Sequence, residues 1–587
     1  MSEAMSMSCA ITGSGGSGAV TAGSMILEAA ARAGHYGLMT RSAGPQIRGG
    51  ESAAMLRFGP QQITCMGDSF GILAALDWGN FSRFAGEIPL TPATLILADP
   101  DAGQAPAELE PYRPQIHWIQ LRELAASRAG GRFNMVAVGA IAAAAQLPLA
   151  AVLEAATATL SRKGAEVVAA AHECIRMGYQ PPSAAGAQVD GLATTTSAPD
   201  TSVAAAPPQR WNISGNEAAG LGGLRGGVRF VAAYPITPAT EILEWLAPRI
   251  TRLGGSLLQA EDELASINMI IGSSFGGVPS MTATSGPGLS LMMEGLGLAV
   301  ASETPVVVVN VMRGGPSTGI PTKSEQSDLN IALYGLHGDA PHLVLAALDI
   351  ADCVLTLHWA TQLAEQLQSV AIVLSDQLLG QSRAIIDPPD TPEFNLGRRL
   401  ATPPEAGQEY QRYQLTAEGL SPMSRPGQPG LSYTADGLEH NQAGTPSSLA
   451  DDHATQLAKR RDKLTGFAPG PLWAEITGSG ELCLLTWGSS HGAVLEAAEH
   501  LTAQGRPTRV IGLRLIAPLQ SQALRAALAG TQVWVVELNQ DGQLYHYLRA
   551  AAVLPEGTKA LARPGPLPLR PAEIIRAITQ ESAHDQC

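Results

Sequence analysis

Residues 305–329, PVVVVNVMRGGPSTGIPTKSEQSDL, join an almost purely apolar run to the densest polar segment in the apolar half of the chain. The run PVVVVNVM is typical of a strand covered on both faces, as in a parallel sheet flanked by helices. Arg313 follows it directly, so we expect its guanidinium at the carboxyl end of a sheet strand, where it can bind a carboxylate with two hydrogen bonds. The stretch therefore predicts an α/β fold and a ligand role for Arg313.

Three parts of the 587-residue chain alternate buried strands with helices in this way. The first begins with the strand SCAIT, a glycine loop and a helix that ends at Gly34. The second contains the strands RFVAAY, SMTAT, PVVVVNVM and VAIVLSD, and the third contains ELCLLTWGSS, RPTRVIGLRL and TQVWVVEL. We predict a multidomain α/β protein with mostly parallel sheets flanked by helices and with domains at 1–180, 211–385 and 466–587.

Two connecting segments separate these domains. Residues 181–210 consist mainly of Ala, Ser, Thr and Pro and cannot bury enough apolar surface to fold, so they are predicted to form a flexible linker. Residues 386–465 are rich in Pro and Gly and show little periodicity. They are predicted to be a crossing segment that wraps a neighbouring domain or subunit.

The composition excludes several classes of protein. With 37 Lys and Arg against 52 Asp and Glu, the net charge is -15, and no basic field exists to bind nucleic acid or an anionic membrane. The N-terminus lacks the pattern of a signal peptide and the apolar runs are too short to span a bilayer, so a cytoplasmic protein is predicted. The six cysteines form no C-x-x-C motif, which argues against a disulfide framework, a zinc site or an iron–sulfur cluster held by this chain and favours buried free thiols.

The glycine loop at 13–18, GSGGSG, lies between a predicted strand and helix, an arrangement that attracts phosphate. A dinucleotide site also needs an acidic residue about 20 positions later, and YGLMTR at 36–41 contains none. A nicotinamide dehydrogenase is therefore disfavoured, whereas a site for another phosphorylated ligand and a purely structural turn both remain open. Arg41 and Arg48 could add positive charge near the loop or lie on a solvated face.

Polar residues also gather at other predicted strand ends. QAEDELAS places Glu261, Asp262 and Glu263 at a helix start, where carboxylates complement the helix dipole. TATSGPG at 282–288 follows a strand, the usual position of ligand-binding loops in α/β sheets. In YPITP, Thr237 is a candidate helix N-cap with Pro238 as the first helical residue, or its hydroxyl is free for a ligand.

Taken together, these motifs resemble the α chain of the 2-oxoacid:ferredoxin oxidoreductases, and the resemblance rests on YPITPATE, EDELASINMIIGSSFGG, TATSGPGLSLMMEGLGLAVASETPVVVVNVMRGGPSTGIPTKSEQSDL, LHGDAPHLVLA, VLSDQLLGQS, TWGSSHGAVLEA and VVELNQDGQL. GSGGSGAVTAG and RSAGPQIRGGES resemble the γ domain of the family, fused here in front of the α region. The fusion and GIPTKSEQSDL are most similar to the 2-oxoglutarate-specific α subunits. The resemblance implies a γ domain, a thiamine-diphosphate-type pyrimidine domain and a transketolase C-terminal-like domain.

An enzyme of this family uses thiamine diphosphate to decarboxylate a 2-oxoacid, passes electrons to ferredoxin and transfers the acyl group to coenzyme A. The reverse reaction fixes carbon dioxide, as in the reductive tricarboxylic acid cycle. The resemblance implies 2-oxoglutarate as substrate, with pyruvate and branched-chain 2-oxoacids as alternatives. The G-D-G motif that binds Mg and the cofactor diphosphate is absent from the chain. A β subunit is therefore expected to carry that site and a four-iron four-sulfur cluster, in a dimer of αβ heterodimers.

The resemblance also assigns roles to residues. Glu263, nine positions before Gly272, matches the glutamate that hydrogen-bonds the cofactor aminopyrimidine, and Glu261 is the alternative. Thr237 matches the threonine that hydrogen-bonds the substrate, and Arg313 matches the arginine that binds its carboxylate. The cofactor is further expected to contact Tyr234, Pro235 and Ile236. Coenzyme A could bind to the γ domain or to the last domain; in the γ domain, Gly15, Gly16, Arg41 and Arg48 are the candidates for binding its phosphates. No metal ligand is predicted in this chain.

Overall fold

The computed structural model describes residues 6–44, 50–79, 81–180, 210–390, 392–394, 397–405 and 408–584. Its contacts divide the chain into two compact units, Met1–Ile213 with Ser382–Pro388 and Ser214–Gln381 with Pro389–Cys587. The predicted linker at 181–210 lies outside the described residues except for Arg210.

The α-helices and β-strands of the described residues follow the predicted alternation. Up to residue 214 they are β1 (Met7–Ser14), α1 (Ala19–Arg32), β2 (Tyr36–Ala43), β3 (Glu51–Gly59), β4 (Ile72–Ala75), β5 (Leu95–Ala98), β6 (Ile116–Trp118), α2 (Leu121–Ala126), α3 (Phe133–Ala144), α4 (Leu149–Leu160), α5 (Ala165–Tyr179) and β7 (Trp211–Ser214). From 215 to 386 they are α6 (Gly215–Arg225), β8 (Phe230–Ala233), α7 (Thr240–Ile250), β9 (Ser256–Gln259), α8 (Glu263–Phe275), β10 (Ser280–Thr284), α9 (Gly286–Ala301), β11 (Val306–Met312), α10 (Leu329–Tyr334), β12 (Leu343–Ala346), α11 (Ile350–Leu367), β13 (Val370–Asp376), α12 (Gln377–Gln381) and β14 (Arg383–Ile386). The remaining elements are α13 (Ala450–Thr465), β15 (Ala474–Thr477), β16 (Leu482–Trp487), α14 (Ser490–Ala503), β17 (Thr508–Leu513), β18 (Leu515–Ala517), α15 (Ser521–Leu528), β19 (Gln532–Glu537), α16 (Gln543–Ala550), β20 (Lys559–Ala562) and α17 (Pro571–His584).

The first unit contains an eight-stranded sheet of order β6-β5-β4-β1-β3-β2-β14-β7. Strands β6, β5, β4 and β1 are parallel neighbours, whereas β3 runs antiparallel to β1 and β2. Strand β14 pairs antiparallel with β2. The sequence assigned this strand to the domain at 211–385, but residues 382–388 group with the first unit.

The second unit contains two sheets over one continuous hydrophobic core. The seven-stranded second sheet has the order β18-β12-β13-β11-β10-β8-β9, and all its neighbours are parallel except β12 and β18. The five-stranded third sheet has the order β15-β17-β16-β19-β20 and is parallel except at β15. Every residue of β11 and β13 is buried, as their apolar sequences predict.

Helix α13 lies within the segment 386–465, where the sequence showed little periodicity. The helix buries charges instead of an apolar stripe: Lys459 and Lys463 both donate to the carboxylate of the fully buried Glu303. Burial alone would raise the pKa of this carboxyl, but Lys463, Lys459 and Arg412 hold it well below its usual range. Buried ion pairs therefore tie the segment to the body of the second unit.

Candidate active site

Four parallel neighbours of the second sheet, β11, β10, β8 and β9, end at one edge. Strands β9 and β10 follow β8 in the chain but lie on opposite sides of it in the sheet, so the strand order reverses at β8. Ligands of α/β sheets bind at the carboxyl edge where such a reversal occurs. The segments that follow these strands carry Arg313, Ser285, Thr237 and, as the first residue of α8, Glu263. The structure thus places all three sequence-predicted catalytic and substrate residues at the same edge.

Arg313 and Thr237 are in direct contact. The Arg313 side chain is 7% exposed, and its Nη1 donates a hydrogen bond of 2.7 Å to the Thr237 carbonyl oxygen. Its buried Nε finds no partner among the described residues. Arg398 shows what the Nε–Nη2 edge of an arginine can do, because it holds Glu365 there with two hydrogen bonds of 2.8 Å. Arg313 keeps this edge available for a carboxylate.

Asp328 supplies the opposite charge. Burial lowers the pKa of Arg313, and the Asp328 carboxylate acts against that shift. Burial also raises the pKa of Asp328, whose Oδ2 accepts a 2.9 Å hydrogen bond from Asn310 Nδ2. Sequence reasoning missed both residues. A lone asparagine within the apolar run of β11 was the available signal, since a buried amide needs a polar partner.

Glu263 and Glu261 have different environments. Glu263 is the first residue of α8 and 6% exposed, whereas Glu261 is exposed. Between them, Asp262 caps the helix by accepting a 2.7 Å hydrogen bond from Ala265 N, which is the structural role considered for the acidic cluster. The Glu263 carboxyl packs on Gly288, where an added Cβ would lie 2.6 Å from its Oε1. This burial favours Glu263 over Glu261 as the functional carboxylate.

The prediction that Thr237 is a helix N-cap is wrong. Helix α7 begins at Thr240, with Ala239 at the N-cap position and no side-chain cap. A turn precedes the helix, because the amides of Ala239 and Thr240 both donate to the Ile236 carbonyl, at 2.8 and 3.0 Å. Pro238 is therefore not the first helical residue. Thr237 is exposed, and within the described residues its hydroxyl forms no hydrogen bond.

The three residues before Thr237 line the same loop. Tyr234 is 41% exposed, Pro235 is half-buried, and Ile236 is half-buried and packs against the core. The loop thus presents an aromatic ring at the sheet edge and anchors itself through an aliphatic side chain.

A second candidate site lies in the first unit, where a cavity of about 450 Å³ opens between the N-terminal ends of α1 and α3. Gly16 and Gly18 of the glycine loop line it, together with the exposed cations Arg132 and Lys163. Two helix N-termini and two cations form a favourable environment for phosphate. Sequence reasoning missed the cations because they are far from the loop along the chain.

The other predicted residues of this site are placed differently. Gly15 is exposed and does not line the cavity. Arg41 is half-buried on β2 and does not line it either, and Arg48 lies outside the described residues.

Cysteines and metal ligands are dispersed. Of the five described cysteines, Cys65 is half-buried, the other four are buried, and all five are free. No three His, Cys, Asp or Glu side chains in the described part of the chain are grouped so as to hold a metal ion.

The described helices include none with the length and apolar character required to cross a bilayer.

Comparisons with known proteins identify the family to which the chain belongs. Family models match residues 8–181 (pyruvate ferredoxin/flavodoxin oxidoreductase), 222–459 (pyruvate flavodoxin/ferredoxin oxidoreductase, thiamine diphosphate-binding) and 474–540 (transketolase, C-terminal domain). The 2-oxoglutarate synthase subunit KorA of Methanothermobacter thermautotrophicus is 33% identical over 379 residues, which cover 63% of this chain and 98% of that protein. The 2-oxoacid:ferredoxin oxidoreductase subunit alpha of Saccharolobus solfataricus is 35% identical over 367 residues, and the match covers 58% of this chain and only 57% of that protein.

A solved structure matches along almost the full length. The 2-oxoglutarate:ferredoxin oxidoreductase from Magnetococcus marinus, with 2-oxoglutarate, coenzyme A and succinyl-CoA bound, has a TM-score of 0.86 and 34% identity, covering 98% of this chain and 99% of that chain. These matches confirm the resemblance found in the motifs. The chain belongs to the 2-oxoacid:ferredoxin oxidoreductase family and is one subunit of such an enzyme.

Proposed function

We propose that this subunit serves an enzyme that oxidatively decarboxylates 2-oxoglutarate, transfers the succinyl group to coenzyme A and reduces ferredoxin, in a reversible reaction. The names of the Methanothermobacter and Magnetococcus proteins support this substrate, at 33% and 34% identity. Pyruvate and branched-chain 2-oxoacids share the carboxylate and keto groups and are the alternatives.

The observation that carries the proposal is the free edge of Arg313 beside Thr237. In the proposed complex, Arg313 binds the 2-oxoacid carboxylate through Nε and Nη2, and the Thr237 hydroxyl donates a hydrogen bond to the substrate. Arg313 follows β11 and Thr237 follows β8, with β10 between these two strands, so both groups are held at one edge of the sheet before the substrate arrives. The 2.7 Å bond from Nη1 to the Thr237 carbonyl fixes one to the other.

Glu263 fits the cofactor implied by the family. The residue is 6% exposed and its carboxyl forms no hydrogen bond within the described residues, so a ring nitrogen can become its partner. Bound thiamine diphosphate supplies an acidic carbon that adds to a keto group. Glu263 would hold the aminopyrimidine by a hydrogen bond and favour the tautomer that accepts the proton of that carbon. Tyr234, Pro235 and Ile236 would line the ring site.

The proposal requires a β subunit with Mg, the cofactor diphosphate site and a four-iron four-sulfur cluster. One observation supports it: α8 and α9 both expose large apolar side chains. Leu264, Met269 and Leu291 are 48%, 38% and 50% exposed, and Glu294 is the only charged residue of the two helices apart from Glu263. A water-facing surface is rarely so poor in charge. We propose a dimer of αβ heterodimers with ferredoxin as electron acceptor.

For coenzyme A we propose the cavity between α1 and α3, with Gly16 and the cations Arg132 and Lys163 facing its phosphates. Gly15 and Arg41 do not line this cavity and Arg48 lies outside the described residues, so their contact with coenzyme A stays a prediction. An Arg132→Ala, Lys163→Ala double variant should raise the KM for coenzyme A at least about tenfold without changing the KM for the 2-oxoacid. An unchanged KM for coenzyme A would remove this cavity from the proposal.

The substrate proposal is tested in the complex reconstituted with its β subunit. Ferredoxin reduction is measured with 2-oxoglutarate, pyruvate and 2-oxoisovalerate in the presence of coenzyme A. The proposal predicts the highest kcat/KM for 2-oxoglutarate. A preference for pyruvate or for the branched-chain acid would contradict it while leaving the roles of Arg313 and Glu263 intact.

A further inference from the structure

Gln326 belongs to the loop at 313–329 that carries Arg313, yet its hydrogen bonds are made to the third sheet. The side chain is fully buried. Its Nε2 donates to the Trp487 carbonyl at 2.8 Å, and its Oε1 accepts from Ser490 Oγ at 2.8 Å and from Leu538 N at 2.7 Å. Its backbone N donates to the Leu538 carbonyl at 2.8 Å, and its carbonyl accepts from Asn539 Nδ2 at 3.2 Å. The side-chain amide and both backbone groups of Gln326 are thus bound to one place in the third sheet.

That place is the point where the strand order of the third sheet reverses. Trp487 ends β16, and Leu538 directly follows β19, its parallel neighbour. Because β17 lies on the other side of β16, the crevice between β16 and β19 is where α/β sheets usually bind a ligand. The absence of a side chain at Gly488 leaves room for Gln326: the φ of Gly488 is 60°, and an added Cβ would lie 2.5 Å from Gln326 Nε2. The third sheet therefore uses its ligand crevice to hold a residue of its own chain.

The anchored residue is two positions from the charge partner of Arg313. Asp328 accepts a hydrogen bond from Asn310 on β11 and packs on Gly286, where an added Cβ would lie 2.8 Å from its Oδ2. On the other side of Gln326, the Glu325 carboxylate accepts from Gly315 N at 3.2 Å. The loop is thus fixed at its centre by the third sheet and closed on itself beside Arg313.

We propose that Gln326 is a positioning residue for substrate binding: by filling the crevice of the third sheet, it fixes the loop whose Lys323 carbonyl and Glu325 carboxylate accept from the amides of Gly314 and Gly315, and so sets the orientation of the free edge of the adjacent Arg313. This inference rests on the proposed role of Arg313 in binding the 2-oxoacid carboxylate. It assigns the C-terminal domain a part in substrate affinity.

The test uses Gln326→Leu and Gln326→Glu in the complex reconstituted with its β subunit. Gln326→Leu should raise the KM for 2-oxoglutarate at least about tenfold and leave the KM for coenzyme A within about twofold. Gln326→Glu keeps the acceptor for Ser490 and Leu538 but loses the donor to Trp487, so a smaller rise of about threefold is expected. Gln456→Leu is the matched control, since this buried glutamine on α13 donates to the Tyr413 carbonyl far along the chain from the loop. It should lower thermal stability and leave both KM values unchanged.

Arg313→Lys, alone and combined with Gln326→Leu, separates this inference from the function on which it rests. If Gln326 acts through Arg313, the double variant has the KM of Arg313→Lys alone. An unchanged KM in Arg313→Lys would overturn the proposed substrate site. A raised KM in Arg313→Lys with a normal KM in Gln326→Leu would overturn only the positioning role.

Equal rises in Gln326→Leu and Gln456→Leu would also overturn the positioning role. If Gln326→Leu does not assemble, Ser490→Ala removes one hydrogen bond to Oε1 and should raise the KM for 2-oxoglutarate about threefold. An unchanged value in that variant refutes the inference.

Discussion

Replacing Gly288 by alanine should disable the active site by displacing one carboxyl group. Gly288 lies in the first turn of α9, and its added Cβ would lie 2.6 Å from Glu263 Oε1, 2.7 Å from Glu263 Cγ and 2.1 Å from Thr284 Oγ1. Ordinary contact with a Cβ begins at 3.4 Å. The Glu263 carboxyl must therefore retreat by about 0.8 Å or more, since atoms of a packed interior cannot overlap.

The expected magnitude follows from that displacement. A catalytic group misplaced by about 1 Å costs about 100-fold in rate, whereas overpacking costs about 1–3 kcal/mol of stability. We expect Gly288→Ala to lower kcat for 2-oxoacid-dependent ferredoxin reduction about 100-fold while the protein stays folded. The assay uses the reconstituted complex at saturating 2-oxoacid and coenzyme A, with thermal unfolding recorded on the same samples.

Gly295→Ala is the control on the same helix. The three atoms nearest to its added Cβ all belong to Ile267, with Cγ2 at 2.9 Å and Cγ1 at 3.1 Å. The variant strains the packing of α8 on α9 without touching Glu263, so we expect a loss of stability of about 1–3 kcal/mol with kcat within about threefold of the parent. Equal kcat values in Gly288→Ala and Gly295→Ala would refute the reasoning.

Three further outcomes are expected. Thr237→Val should raise the KM for the 2-oxoacid about tenfold, because it removes a hydroxyl that donates to the substrate. The thermal midpoint should not change, since that hydroxyl forms no hydrogen bond within the described residues. An unchanged KM would exclude this contact. Lys463→Met should cost about 3 kcal/mol in denaturant unfolding, because it removes a buried donor to both Glu303 and the Gln368 carbonyl; a loss below about 1 kcal/mol would contradict this. Burial lowers the pKa of His491 from 6.5 to about 4, so the unfolded state binds a proton first and stability is lost as pH falls from 6.5 towards 4. His491→Gln should therefore gain about 2.5 kcal/mol relative to the parent between pH 7.5 and pH 4.5, and a parallel pH profile would disprove the buried neutral imidazole.

The sequence predicted the strands and the edge at which they end. An uninterrupted apolar run such as PVVVVNVM is a local signal, and the residue after it lies at a strand terminus wherever the strand pairs. Arg313 could therefore be placed before its partners were known. Glu263 was chosen over Glu261 by its motif position, and its burial agrees with that choice.

The remaining features depend on contacts that local patterns do not encode. Asp328 accepts a hydrogen bond from Asn310 on β11, which is 18 positions away in the sequence. Gln326 accepts a hydrogen bond from Leu538, which belongs to another domain. Helix α13 escaped the periodicity analysis because it buries lysines against Glu303 instead of apolar side chains. The N-cap of α7 was misassigned because the turn at Ile236 delays the helix by two residues, which proline spacing alone does not reveal.

We propose that Glu263 activates the cofactor implied by the family. The most direct test of this role is the rate of hydrogen–deuterium exchange at the thiazolium C2 of thiamine diphosphate bound to the reconstituted complex. Glu263→Gln should slow this exchange at least about 100-fold, and Glu261→Gln should leave it unchanged because that side chain is exposed. Normal exchange in Glu263→Gln, with the cofactor fully bound, would contradict the account.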